Sequence, residues 1–203
     1  MRFFSVDGPL YKFLSTLWDV VVLNVLWILC SIPIVTMGAA TVAVFSVTLK
    51  MVEDQEGYVA RQFFKAFKQN LKQGIPLGLL FLFCCYVVYL DFELYRVFGE
   101  PMGLLMFSLA AIVIFVLTFI YAFPLSARYE NTLINTLKNS VNIATRYIGR
   151  TLVLIAVLAV EVLLFMLTST TMFFGLLIGP TCIMLTISGF AIYLFHQIEK
   201  DNS

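Results

Sequence analysis

Charge is scarce in this sequence of 203 residues, and its scarcity excludes a water-soluble protein. Only 12% of the residues are Asp, Glu, Lys or Arg, whereas these residues form about a quarter of a typical soluble domain. Apolar residues account for 61% of the chain, and the mean hydropathy is +0.96. The sequence therefore predicts an integral membrane protein. The formal net charge of +1 indicates no particular partner, and we expect no nucleic-acid partner.

Histidine is also rare, and cysteine pairs with the spacing of a metal site are absent from the sequence. His196 is the single histidine, and it follows the last apolar segment. The cysteines lie inside apolar segments and lack the C-x-x-C spacing of zinc sites. They are Cys30, Cys84, Cys85 and Cys182. We interpret them as small apolar core residues and predict no metal or other cofactor.

Motifs of the commonest enzyme classes are absent as well. The sequence contains no G-x-x-x-x-G-K-[ST] phosphate loop, no G-x-S-x-G nucleophile turn and no H-E-x-x-H zinc motif. ATP hydrolysis and the commonest hydrolase reactions therefore lack the residues that would carry them. We expect that the protein is not an enzyme.

Long apolar segments recur along the chain, and each has close to the 20 or so residues that cross a hydrocarbon core of about 30 Å. The candidate spans are 17–34, 36–52, 75–92, 102–124, 151–170 and 174–195. The polar segments between them leave no room for a separate soluble domain. The expected fold is all-α: one polytopic membrane helix bundle over residues 1–203, with about six transmembrane helices and two cytoplasmic amphipathic helices.

Two helix-disfavouring residues interrupt the first long apolar region, WILCSIPIVTMGAATVAVFSVTLKMV. Pro33 disfavours helical geometry at the residue before it, and Gly38 tolerates a turn. The region is either one broken span or two short spans. The two alternatives place the N-terminus on opposite sides of the membrane.

The distribution of positive charge favours two short spans, because Lys and Arg accumulate in cytoplasmic loops. With a hairpin at Pro33–Gly38, every Lys and Arg except Arg96 lies in the cytoplasm. With a single span, Arg2 and Lys12 move outside as well. We therefore predict a hairpin and a multi-pass protein with both termini in the cytoplasm. A cleaved N-terminal signal peptide is a competing interpretation, which the long polar lead disfavours.

Residues 58–73 form the first of two basic segments with amphipathic helical spacing. Phenylalanines recur on one side and lysines lie on or beside the other. The residues of this candidate docking surface are Phe63, Phe64, Lys65, Phe67, Lys68 and Lys72. Basic residues opposite aromatic ones are typical of a helix lying on an anionic membrane surface. The same surface suits docking to a partner protein.

A second basic segment, ENTLINTLKNSVNIATRYIGR, has a similar apolar stripe. The stripe consists of Leu133, Leu137, Val141, Ala144 and Ile148. Both basic segments run directly into a span, which suggests a weak internal repeat of about 53–95 and 126–168. The alternative is that any cytoplasmic loop between spans tends to be basic and amphipathic.

Three polar residues lie within the apolar segments, where an unpaired charge costs several kcal/mol. Glu161 is near the middle of its span, and Asp19 and Asn24 are in the first span. Glu161 forms either a structural hydrogen bond or part of a ligand or proton site. Asp19 either has a structural role, in which it caps the first span or pairs with a basic residue, or forms a polar track with Asn24.

The segments 74–78 and 175–179 each contain the pattern G-x-x-x-G, with a proline within or beside it. Two glycines one turn apart allow helix backbones to approach closely. We predict tight helix packing or a kink at both sites, rather than specific dimerisation.

Three segments together resemble the YesL family of small bacterial membrane proteins, whose function is unknown. They are NVLWILCSIPIVTMGAAT, EGYVARQFFKAFKQNLKQG and FPLSARYENTLINTLKNS, in this order. The resemblance runs from about residue 10 to about residue 170. It implies a bacterial inner-membrane protein whose relatives are often found beside carbohydrate importers of the ATP-binding-cassette type and glycoside-degrading enzymes. It implies no catalytic residues.

Two functions remain open from the sequence. The first is a non-enzymatic accessory subunit that docks to the permease of a carbohydrate importer and contacts membrane lipids. The second is a small-solute channel or carrier that uses the polar residues inside the bundle. The few polar side chains in the spans favour the first function, because a hydrated sugar requires many hydrogen-bonding partners.

Overall fold

The computed structural model describes residues 9–55, 57–99 and 101–201, and within these ranges it contains helices and no strand. Arg2, on which the predicted topology partly rests, lies outside these ranges. The helices are α1 (Pro9–Ser31), α2 (Met37–Val52), α3 (Val59–Val97), α4 (Met102–Phe119), α5 (Ala122–Arg128), α6 (Leu133–Arg146), α7 (Ile148–Met166) and α8 (Ser169–Asp201).

Six helical segments of the described chain are long and apolar enough to cross a membrane. They are Leu14–Ser31, Ile34–Val52, Val59–Val97, Met102–Arg128, Ile148–Met166 and Ser169–Lys200. Each overlaps one of the predicted spans. The predicted all-α membrane bundle with six long apolar helices is confirmed.

The predicted break in the first apolar region is also confirmed. α1 ends at Ser31, a short 3₁₀ turn covers Ile34–Thr36, and α2 begins at Met37. Across the turn, the Trp27 Nε1–H donates to Thr41 Oγ1 at 3.0 Å, so the two helices form an antiparallel hairpin. The Thr36 hydroxyl closes the turn by donating to the Cys30 carbonyl at 2.7 Å.

Gly38 lies inside α2 rather than in the turn, and its role is contact with α3. A Cβ atom on Gly38 would come closer than 3.0 Å to backbone atoms of Gly74 and Gly78. The G-x-x-x-G pattern at 74–78 therefore packs against the start of α2, as predicted. A side chain at any of these three positions would push the helices apart.

α3 is one continuous helix of 39 residues, about 58 Å long at 1.5 Å per residue. Its first half runs antiparallel to α2, from the loop after Val52 to the glycine contact. The prediction of a separate helix on the membrane surface at 58–73 is therefore wrong. The segment is amphipathic because its apolar side packs against α2.

The turn between α1 and α2 lies well short of the far end of α3. From the glycine contact at Gly78, α3 continues to Val97, which is about 28 Å of helix. The turn itself carries exposed apolar side chains: Ile32 is 71% exposed and Ile34 is 67% exposed. The far end of α3 thus extends beyond this hairpin.

The second amphipathic segment is a separate helix, α6, and it packs mainly against α4 and α5. Its buried face consists of Thr136, Ser140, Ile143 and Ala144. Val141 and Ile148, which were expected in the apolar stripe, are exposed. Small polar residues therefore form much of the buried face. The Ser140 hydroxyl, for example, faces the α4 backbone and donates to the Leu117 carbonyl at 3.5 Å.

α2 lies at the centre of the bundle and contacts α1, α3, α5 and α8. Two helical hairpins, α3–α4 and α7–α8, extend from this centre. Phe81 contacts Phe115 and Phe119 across the first hairpin, with ring centroids 5.2 Å apart in both pairs. Within the described residues, no Cα atom of one hairpin lies within 8 Å of the other.

Candidate functional site: a cationic stripe on α3

Four cations form a single exposed row on the first half of α3. They are Arg61, Lys65, Lys68 and Lys72, and their spacing places them on one face of the helix. We call this row the cationic stripe. None of the four has an ion pair among the residues that the structure describes. The stripe therefore presents uncompensated positive charge.

The three phenylalanines of the predicted docking surface have different environments. Phe63 is fully buried and stacks on Phe67, with ring centroids 6.1 Å apart. Phe67 is half-buried against the same core, whereas Phe64 is 45% exposed. The prediction that Phe63 belongs to an exposed docking surface is therefore wrong, because its side chain points into the core. Phe64, beside Lys65, is the most exposed of the three phenylalanines.

A cluster of charged and aromatic residues joins the ends of α2, α5 and α8. It lies near the start of α3, and we call this end of the molecule the basic end. Arg128 donates to Glu53 at 3.0 Å and forms an ion pair with Glu199 at 3.2 Å. The Tyr129 hydroxyl donates to Glu199 at 2.6 Å, and His196 lies 3.3 Å from Glu53. Sequence reasoning missed this cluster, since its members come from three distant segments.

Tyr129 acts as a hydrogen-bond donor in this cluster. Burial, and then the hydrogen bond to Glu199, raises the pKa of Tyr129 to about 12. The phenol is therefore protonated throughout the physiological pH range. The cluster therefore holds the ends of α2, α5 and α8 together.

Asn24 is fully occupied by a structural contact with α8. Its Nδ2 donates to the carbonyls of Leu176 at 3.0 Å and Leu177 at 2.7 Å, and its Oδ1 accepts from the Thr181 hydroxyl at 3.2 Å. Pro180 has no N–H, so the Leu176 carbonyl loses its helical donor. Asn24 replaces that donor, and it belongs to packing rather than to a polar track.

Glu161 and Asp19 lie apart from the cationic stripe. Glu161 is half-buried between α7 and α8 and accepts a hydrogen bond from the Thr186 hydroxyl at 3.2 Å. Asp19 is half-buried on α1 and has an interaction partner. No hydrogen bond joins Asn24 to Glu161 in the described part of the chain. Asn24 and Glu161 therefore make separate contacts with α8.

A comparison with protein families finds a match over residues 20–92 to the family described as "Protein of unknown function, DUF624". The matched segment contains the second half of α1, all of α2, the glycine contact and the cationic stripe. No curated protein and no solved structure matches the chain. The fold defines a multi-pass membrane protein, and its first part is similar to this family of unknown function.

Proposed function

We propose that this protein is a non-enzymatic accessory subunit that docks to the permease of an ATP-binding-cassette carbohydrate importer. The docking surface is the cationic stripe together with Phe64. The observation that carries the proposal is the row of four exposed cations without ion pairs on α3. The resemblance to the YesL family supports the choice of a carbohydrate importer. The location is the bacterial cell membrane, with the basic end and both termini in the cytoplasm.

The cationic stripe follows about 16 Å of α3, from Lys72 to Arg61. An acidic protein surface of this length can engage the whole row, and complementary charge of this kind fixes the orientation of a partner.

The energetics assign different roles to the charges and to the aromatic ring. Exposed charges at the rim of an interface mainly accelerate association and fix orientation. A buried aromatic anchor contributes about 2 kcal/mol or more to affinity. Phe64 is the candidate anchor because it lies beside the stripe, one turn from Arg61 and Lys68, and is exposed. Phe63 supports it from below by packing into the core.

Copurification with the permease in mild detergent tests this proposal. We expect Lys65→Glu combined with Lys68→Glu to abolish recovery of the permease, and Phe64→Ala to reduce it strongly. Lys138→Glu on α6 is the matched control, because Lys138 is an exposed cation without an ion pair on a neighbouring helix. Recovery at the wild-type level by the double Lys variant would refute docking through the stripe.

The alternative function, a small-solute channel or carrier, has weaker support. Its candidate residues were Asp19, Asn24 and Glu161. Asn24 and Glu161 are each bonded to α8, and Asp19 also has an interaction partner. Solute uptake into liposomes that contain only this protein would favour the alternative. The accessory function predicts no such uptake.

A further inference from the structure

A large apolar cleft separates the two hairpins that extend from α2. Its volume is about 800 Å³. One wall includes Phe81 and Phe115 from α3 and α4, and the other includes Leu158 and Met184 from α7 and α8. Trp27 lies in the lining at the α1–α2 hairpin. The cleft therefore lies among the membrane-spanning helices.

The lining offers almost nothing to a polar ligand. Among the described residues it contains no charged side chain, and its single hydroxyl is that of Thr41. That hydroxyl already accepts from the Trp27 Nε1–H at 3.0 Å and donates to the Met37 carbonyl at 2.9 Å. A sugar or an ion would lose its hydration here without gaining hydrogen bonds. The cleft suits hydrocarbon.

One side of the cleft is open. α4 and α7 carry the two edges, and no Cα atom of α4 lies within 8 Å of a Cα atom of α7 in the described chain. Because both helices are membrane spans, the gap between them faces the bilayer. Lipid chains can enter through it sideways.

The size of the cleft disfavours a partner helix as its occupant. A helix about 10 Å wide that rises 1.5 Å per residue occupies about 120 Å³ per residue, so the empty space of about 1730 Å³ between the hairpins, its open side included, holds about 15 residues. A transmembrane helix needs about 20 residues, so such a helix would not fit within the cleft. A flexible chain can fill the same irregular space completely.

We propose that the cleft is a binding site for the acyl chains of membrane lipid. The chain fills the space between the α3–α4 and α7–α8 hairpins and bridges two units that do not touch each other directly. Lipid is then an integral part of the packed structure in this half of the molecule. This site is independent of the docking proposed for the stripe.

Quenching of tryptophan fluorescence by brominated lipid provides the test, because Trp27 lines the cleft and the chain has one other tryptophan, Trp18. The Trp18→Phe protein, reconstituted in vesicles of phosphatidylcholine brominated at mid-chain, reports on Trp27 alone. We expect strong quenching relative to vesicles of the same lipid without bromine. Absence of quenching would overturn the proposal.

A matched pair of substitutions distinguishes the cleft from general contact with lipid. Ala159 lines the cleft, whereas Ala156 lies on the same helix, is exposed and is outside the lining. In the Trp18→Phe background, Ala159→Phe fills the cleft and should remove most of the quenching. Ala156→Phe should leave the quenching unchanged.

Equal quenching in the two variants would contradict the proposal. A dimer in the vesicles whose second copy shields Trp27 from lipid would contradict it as well.

If Ala159→Phe fails to fold, Val162→Phe in the same lining replaces it. The number of phospholipids that copurify with each variant, measured by mass spectrometry, gives an independent readout. Ala159→Phe should retain fewer than Ala156→Phe.

Discussion

The basic end of the bundle and the end with the splayed hairpins are built differently. At the basic end, Arg128, Glu53 and Glu199 join three helical elements through short polar contacts. At the other end, the α3–α4 and α7–α8 hairpins diverge around an apolar cleft. Lipid is as apolar as a leucine side chain, so apolar surface alone does not hold membrane helices together. The helices stay together where small residues or polar pairs connect them.

We expect the largest loss of stability at the glycine contact between α2 and α3, which lies between the basic end and the splayed hairpins. Gly→Ala in an exposed helix stabilises by up to about 1 kcal/mol, but the Gly38→Ala methyl group would collide with the α3 backbone. We expect a net destabilisation of about 2 to 3 kcal/mol, seen as a lower thermal unfolding midpoint in detergent. Gly103→Ala is the control, since a Cβ at Gly103 meets no atom within 4 Å. Equal midpoints for the two variants would refute the close contact.

The next effect concerns the Asn24 contact with α8. Asn24→Ala leaves the Leu176 and Leu177 carbonyls without their side-chain donor, at a cost of about 1 to 2 kcal/mol. Pro180→Ala restores an N–H to donate to the Leu176 carbonyl. Asn24→Ala should therefore cost less in the Pro180→Ala background than in the wild type. Strictly additive shifts in the unfolding midpoint would contradict the proposed replacement of the donor.

Two arginine–glutamate pairs test whether polar contacts matter at the basic end in particular. Arg128 and Glu53 are each about four-fifths buried, with side chains 23% and 22% exposed, whereas Arg96 is 62% exposed in its pair with Glu93. Arg128→Ala should destabilise by about 1 kcal/mol and Arg96→Ala by close to zero. A larger loss from Arg96→Ala than from Arg128→Ala would reverse the comparison between the two ends.

The smallest effect is expected for Glu161→Gln. Glutamine retains an oxygen that accepts from the Thr186 hydroxyl, as Glu161 does now. We expect its unfolding midpoint to match the wild type, with a moderate loss for Glu161→Leu because the Thr186 hydroxyl loses its partner. A loss of solute transport with Gln at normal folded yield would instead support the carrier alternative.

Local sequence patterns were sufficient for the six long apolar helices, for the break before Gly38 and for the G-x-x-x-G contact at 74–78. Apolar length, proline and small-residue spacing act within one or two turns of the chain, so they can be read directly. Contacts between distant segments were not predictable in this way. The burial of Phe63 depends on α2, and the donor role of Asn24 depends on Pro180, 156 positions later in the sequence.

Site-specific photocrosslinking in cells tests the proposed docking most directly. A photoreactive amino acid at position 64 lies beside the cationic stripe, and one at position 107 lies on α4, where Phe107 is also exposed. We expect position 64 to crosslink to the permease of a carbohydrate importer and position 107 to crosslink to lipid. Lipid adducts alone from position 64, in cells that express the importer, would contradict docking through the stripe.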